Sequence, residues 1–408
     1  MELIGEEEIQ EVIEVLRGAY IYRYGDETDP RFKAKVYRLE QEVAAFSKVR
    51  YAVGVNSGTS AIFVALGALG VGPGDEVIVP GYTFIASISS IVYARAIPVL
   101  AEIDRTFNLD PADVEAKITP RTKAIAVHMM GNPARLDELR AIADKHGIAL
   151  LEDCAQAFGA SYKGRPVGSI GDIAAFSFNA YKTITAGDGG MVITDDENLY
   201  RRSFAFHDQG HSPLRTGVEV GQRPFIGLDF RLTEVQAAIL LAQLRKLPII
   251  LEKLRTNKKR YKEMIADLPG LEFREITDPE GECATILTII LPTREIAEKI
   301  AAELGNKVIA EAGWHVYNNM ENILEQRTIT PEQCPFTCPY YTSRAPRIRY
   351  HKGMLPQTDD LVARSTNISI GVSDPSLSSA FGVTINDGLD MVEQRALQFR
   401  KVASQYLK

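Results

Sequence analysis

Residues 123–153 read KAIAVHMMGNPARLDELRAIADKHGIALLED: an apolar run, a turn at Gly131-Asn132-Pro133, a helix-like stretch, and a second apolar run that ends on two acids. In the middle stretch Leu136, Leu139, Ile142 and Ala143 recur every three to four residues, the mark of a helix with one buried face. The flanking runs AIAV and IALL are short and continuously apolar, as strands covered on both faces are. Strand, helix and strand in that order make a parallel crossover unit.

The same alternation extends upstream. EVIVP at 76–80, ASISSIVYA at 86–94, PVLAEID at 98–104 and PADVEAKI at 111–118 repeat it. Strands and helices at this spacing predict an α/β fold with a large, mostly parallel sheet covered on both faces, and such sheets gather ligands at the carboxyl ends of their strands. Beyond Asp153 the rhythm changes to shorter β-like segments, Ala160 to Tyr162, Ile173 to Phe178 and Met191 to Thr194. A helical pattern from Thr233 to Leu247 is expected to stop at Pro248, because proline lacks the N–H that continues a helix. At 408 residues the chain exceeds what one core usually organises, so two domains are expected, 1–248 and a smaller α/β domain 249–408. Strand TILTIILP and helix REIAEKIAAELG belong to the second.

Composition narrows the function classes. The net charge is -7 and no Lys/Arg stripe is present, which argues against nucleic acid, since counterion release needs clustered cations. The N-terminal MELIGEEEIQEVIEVL is acidic and amphipathic, unlike a signal peptide, and no apolar stretch is long enough to span a bilayer. With four cysteines the expected compartment is the cytoplasm. Cys334 and Cys338 lack the further ligands a zinc site needs, so no metal is expected.

Several chemical groups fall at predicted strand ends. Lys182 lies between the apolar run at 173–178 and Gly187-Asp188-Gly189-Gly190, a frame in which a lysine can lose its charge by desolvation. Asp153 ends a strand, with Gln156 three residues on. Gly58, Thr59 and Ser60 open a helix, whose N–H groups and dipole suit a phosphate, and Ser177 offers a hydroxyl for the same anion. Phe84 follows a strand in PGYTF and would lie against a flat ring. An amine, a carboxylate, an anion cradle and an aromatic wall are the provisions that pyridoxal 5′-phosphate requires.

NSGTSA, PGYTF, LEDCAQAFGA, FSFNAYKTITAGDGG and GLDFRLTEVQAA, in this order, resemble the signature segments of the DegT/DnrJ/StrS aminotransferases, over roughly residues 1 to 375. The resemblance implies a pyridoxal-phosphate-dependent transferase of fold type I, aspartate aminotransferase-like. It also implies a homodimer with its active site at the subunit interface, an amino-acid donor and a carbohydrate carbonyl acceptor. Carried over by motif, Lys182 would be the Schiff-base lysine and Asp153 the partner of the ring nitrogen. Gln156 would meet the ring hydroxyl, Ser177 with Gly58, Thr59 and Ser60 the phosphate, and Phe84 the ring face. Within the family, YRYGDETDPRFK, HDQGH, EFREITDPEG and WHVYNN are most like transaminases that form 8-amino-3,8-dideoxy-manno-octulosonate from the 8-oxo compound with glutamate. Nucleotide-linked keto-sugars and cyclitol ketones are the alternative acceptors, and a non-catalytic scaffold on the same fold is the alternative role. His207, His211, His315 and Tyr317 are expected to meet substrate. Asp229 stands where most members carry an asparagine that reaches the phosphate held by the neighbouring subunit. A carboxylate there would repel the dianion unless protonated or paired, with Arg231 the nearest cation.

Overall fold

The large sheet begins with β1 (Tyr51–Val55), which feeds α3 (Gly58–Leu69), after two N-terminal helices α1 (Glu6–Gly18) and α2 (Lys35–Phe46). Then follow β2 (Glu76–Pro80), α4 (Ile85–Tyr93), β3 (Ile97–Ala101), α5 (Pro111–Lys117), β4 (Thr122–Ile125), α6 (Leu136–His146) and β5 (Ala149–Asp153). A small hairpin, β6 (Ser161–Tyr162) and β7 (Arg165–Pro166), precedes β8 (Ile173–Ser177) and β9 (Gly190–Thr194). The computed structural model describes residues 4–125, 129–213 and 223–408, so the end of the predicted strand at 123–130 lies partly outside the described residues.

The large sheet has the order β1-β9-β8-β5-β4-β2-β3. β9 runs antiparallel to β1 and β8, and the remaining pairs are parallel. β2, β8 and β9 are buried along their whole length, which is why they read as unbroken apolar runs. Because β5 and β8 are parallel neighbours with Asp153 opposite Ala175, the end of β5 and the end of β8 at Ser177 open on the same edge.

Helix α7 (Glu197–His207) leads to α8 (Glu234–Glu263), which starts in a capping box between Thr233 and Gln236. The expected stop at Pro248 is not observed, and residue 248 sits in mid-helix. Proline removes one backbone hydrogen bond, at a cost of about 3 kcal/mol. Leu244, Leu247, Ile250, Leu251 and Leu254 are buried on both sides of it in one core, and that burial outweighs the loss. Ion pairs from Arg245 to Glu11 and from Lys246 to Glu7 and Glu8 fasten α1 along the same helix.

A second, antiparallel sheet of β10 (Glu272–Phe273), β11 (Ile286–Ile290) and β12 (Ser365–Ser369) follows α8. It packs with α9 (Arg294–Glu303), and between the two lie short helices α10 (Glu321–Leu324), α11 (Pro339–Thr342) and α12 (Pro356–Ala363) before α13 (Leu389–Ala403) closes the chain. The loop after β2 is stitched to this half by backbone bonds. Thr83 N–H donates to the His315 carbonyl at 2.9 Å, Ile85 N–H to Trp314 at 2.9 Å, and Tyr317 N–H to Gly81 at 2.9 Å. Among the described residues no helix is long and apolar enough to cross a membrane, and no group of three or more His, Cys, Asp or Glu side chains could hold a metal.

Candidate active site

The carboxyl edge of β5 and β8, the N-terminus of α3 and the loop after β2 surround a cleft of about 320 Å³, closed on its far side by Thr285, Val372, Asp374 and Ser376 from the C-terminal half. Lys182 enters it from the β8–β9 loop. That loop is held by Phe178 N–H to the Gly189 carbonyl at 2.8 Å and Ala180 N–H to Gly187 at 3.1 Å. Gly190 is needed at its end, since a Cβ there would lie 2.3 Å from the Ser57 carbonyl oxygen. Lys182 is half-buried, its ammonium makes no hydrogen bond or ion pair among the described residues, and burial lowers its pKa against the opposing pull of Asp153 and Asp374.

Asp153 is buried at the floor. Its Oδ2 accepts from the Ser87 hydroxyl at 2.6 Å, and its Oδ1 from the Ala155 N–H at 3.1 Å. Ser87 is itself 2.9 Å from the Thr83 hydroxyl. These bonds fix the carboxylate.

The anion cradle is built by close approach of α3 to β8. A Cβ on Gly58 would lie 2.5 Å from the Ser177 Cβ. Gly58 and Thr59, in the first turn, have no intrahelical acceptor for their N–H groups. Ser60 does not line the cleft. Its hydroxyl donates to Asn56 Oδ1 at 2.6 Å and lies 2.8 Å from the Ser57 hydroxyl, and Ser57 is the N-cap that lines the cleft instead.

Phe84 lines the cleft while 39% exposed, with its ring centroid 5.2 Å from that of His315. Burial and the nearby Lys182 push His315 down to about 4, so it is neutral at neutral pH. Its Nδ1 lies 3.2 Å from the Ser376 carbonyl and must carry the proton, which leaves Nε2 as an acceptor facing Gln156 Nε2 at 3.5 Å. Gln156 Oε1 accepts from the Met130 N–H at 3.1 Å, which orients the amide. Asn179, Tyr181, Asp188, Asp374 and Ser376 also line the cleft, and sequence reading singled out none of them. A free amine, a fixed carboxylate, unpaired N–H groups at a helix start and an exposed ring fit pyridoxal 5′-phosphate.

Residues 2–370 match the DegT/DnrJ/EryC1/StrS aminotransferase family. The chain belongs to that family. With the family come aminotransferase activity and pyridoxal 5′-phosphate as cofactor. The chain is 46% identical over 213 residues to GDP-perosamine synthase of Caulobacter vibrioides, 52% of this chain and 56% of that one. It is 41% identical over 286 residues to L-glutamine:2-deoxy-scyllo-inosose aminotransferase of Streptoalloteichus tenebrarius, 66% of this chain and 67% of that one. The X-ray structure of the aminotransferase from Psychrobacter cryohalolentis superposes with a TM-score of 0.77 at 29% identity, covering 98% of each chain.

Three side chains expected at substrate in this DegT/DnrJ/EryC1/StrS member, His207, Tyr317 and His211, lie outside the cleft lining. His207 is fully buried at the end of α7, with Nδ1 2.6 Å from the Phe204 carbonyl and Nε2 2.8 Å from Arg23 Nη1. Tyr317 is buried beneath Gly81, donating to Asp359 at 3.0 Å and accepting from the Leu355 N–H at 3.0 Å. Both polar groups are consumed by the fold. His211 sits 3.8 Å from Asp208, also outside the lining. Asp229 does not line this chain's own cleft, and its carboxylate pairs with Arg231, which also binds Asp208.

Two expected results follow from this geometry. Gly58→Ala drives a methyl into Ser177 and is expected to weaken cofactor binding about 10- to 100-fold, read by absorbance titration of the cofactor-free protein. His207 is held down to about 3 by burial and the neighbouring Arg23, against 6.5 for an ordinary histidine. The unfolded chain therefore takes up this proton first. Its contribution to stability is complete above pH 6.5 and falls toward pH 3 by up to about 1.4 kcal/mol per pH unit. Urea unfolding at pH 7 and pH 5 should show a shallower loss in His207→Gln than in the parent; equal losses would contradict the assignment.

Proposed function

We propose that this protein moves an amino group from an amino acid, L-glutamate in the first instance, to the carbonyl of a carbohydrate. The observation that carries the reading is the unpaired Lys182 amine sharing one cleft with the anchored Asp153 carboxylate, beside the N-terminus of α3. Pyridoxal 5′-phosphate, when bound, supplies the electron sink that lets the donor's α-carbon release a proton. Lys182 Nζ holds the cofactor between turnovers, takes that proton once displaced, and returns it to complete the transfer. Asp153 keeps the ring nitrogen protonated, and Phe84 covers a ring face and excludes water. The Gly58 and Thr59 N–H groups and Ser177 hold the phosphate, and Gln156, aligned by His315 and Met130, meets the ring hydroxyl. Keto acid leaves before the acceptor enters, so ping-pong kinetics are expected.

For the acceptor, the sequence likeness favours 8-oxo-3,8-dideoxy-manno-octulosonate. The names of the Caulobacter and Streptoalloteichus relatives favour a nucleotide-linked keto-sugar or a cyclitol ketone as the second reading. The working unit is proposed to be a homodimer, with Asp229 and Arg231 presented to the partner's cleft as a neutralised pair. Incubation with glutamate and each acceptor class, with the aminated product read by mass spectrometry, separates the readings. Conversion of the 8-oxo compound supports the first. Conversion of only nucleotide-linked or cyclitol ketones replaces it with the second, and no amino transfer from glutamate or glutamine to any acceptor defeats both.

A further inference from the structure

The wall that the C-terminal half contributes to the cleft consists of Thr285, Ile286, His315, Val372, Asp374, Ser376 and Leu377. With His315 neutral, Asp374 is the charged member of that wall among the described residues. Its position is tightly fixed. Asp374 Oδ1 accepts from the Ser376 N–H at 2.8 Å, and its own N–H donates to the Ser379 hydroxyl at 3.1 Å. Its carbonyl accepts from Leu377 N–H at 3.0 Å and Ser379 N–H at 3.1 Å. Oδ2 accepts no hydrogen bond among the described residues. The carboxylate makes no direct ion pair with Lys182, yet its field reaches both Lys182 and His315. A fixed, half-used acceptor therefore shares the cleft with the reactive amine.

We propose that Asp374 is the specificity-determining residue for the carbonyl acceptor, its free oxygen receiving the hydrogen bond of a hydroxyl on the carbon next to the reacting carbonyl. This rests on the aminotransferase reading above. Lys182 and Asp374 line the same cleft, so an acceptor whose carbonyl reacts beside Lys182 can place a neighbouring hydroxyl on the free Asp374 oxygen. Leaving a charged acceptor unpaired penalises a substrate that lacks the hydroxyl, whereas an apolar wall would not distinguish the two. The site then selects polyhydroxylated aldehydes and ketones over their deoxy analogues.

The test uses the holoenzyme first converted to its amino form with glutamate, then mixed with D-glyceraldehyde or with 3-hydroxypropanal, which lacks the hydroxyl beside the aldehyde. The parent protein should react about 100-fold faster with glyceraldehyde. Asp374→Asn keeps the Ser376 cap through its one oxygen and replaces the free carboxylate oxygen by a neutral NH2 donor, to which the substrate hydroxyl can only act as acceptor, and the ratio should fall to about tenfold, since charge-assisted bonds are roughly twice as strong as neutral ones. A second readout needs no turnover. In the cofactor-free protein, labelling of Lys182 by a neutral amine reagent should shift to lower pH in Asp374→Asn, as expected when a nearby negative charge is removed. Equal rates for the two aldehydes, zero included, or a ratio or labelling profile unchanged in the variant, would overturn the assignment. Failure of the parent protein to accept an amino group from glutamate or glutamine would instead sink the aminotransferase reading itself.

Discussion

Lys182→Ala is expected to lower turnover by about 10⁴-fold or more and to abolish the long-wavelength absorbance of lysine-bound cofactor. Among the described residues lining the cleft Lys182 is the only cation, so no neighbouring amine can take over. Lys258 is also buried, with its pKa lowered to about 8, but it stands on α8, tied to Glu282, and lies outside the lining. The substitution should leave folding intact, because among the described residues the Lys182 side chain makes no hydrogen bond or ion pair, and its backbone bond to the Asn179 carbonyl is kept. Added methylamine that restored part of the rate would confirm that the missing element is the amine. Retention of parental turnover would remove the lysine from the chemistry.

The second large effect is at Asp153. Asp153→Asn preserves the size of the side chain and an acceptor for the Ser87 hydroxyl, while deleting the negative charge. An ion pair at about 4 Å with an effective dielectric constant near 20 is worth about 4 kcal/mol, so the rate of amino transfer from glutamate should fall about 10³-fold. Structural work at the end of β5 is carried by its neighbour instead. Glu152 is fully buried and accepts the N–H groups of Gly168 and Ile170, each at 2.8 Å. A single-turnover measurement beside a thermal unfolding curve separates the two roles. A drop in stability matching the drop in rate would reassign Asp153 to the fold.

The strands from β2 to β5 were legible because each is short, apolar and covered on both faces, so its character is local. The placement of Lys182 beside Asp153 followed from strand ends in a parallel sheet, which chain order alone implies. Helix α8 was misjudged at Pro248 because proline's penalty is local while the burial that overrides it comes from α1, α2 and α13, distant in sequence. His207 and Tyr317 look like reactive groups in a linear reading. Their partners, Arg23 and Asp359, are identified only once the chain is folded. Ser57 and Ser60 could be ranked only when the cap geometry was visible. Asp374 sits in a turn whose pattern, Asp-Pro-Ser, also occurs in ordinary helix caps, and only the cleft around it gives it further meaning.

The account rests on Lys182 as the residue that holds the cofactor. Borohydride reduction of the holoenzyme, followed by proteolysis and mass mapping, fixes the cofactor covalently to its lysine. The account predicts a single modified peptide carrying the label on Lys182. A label on Lys258 or another lysine, or a holoenzyme that yields no labelled peptide, would contradict it.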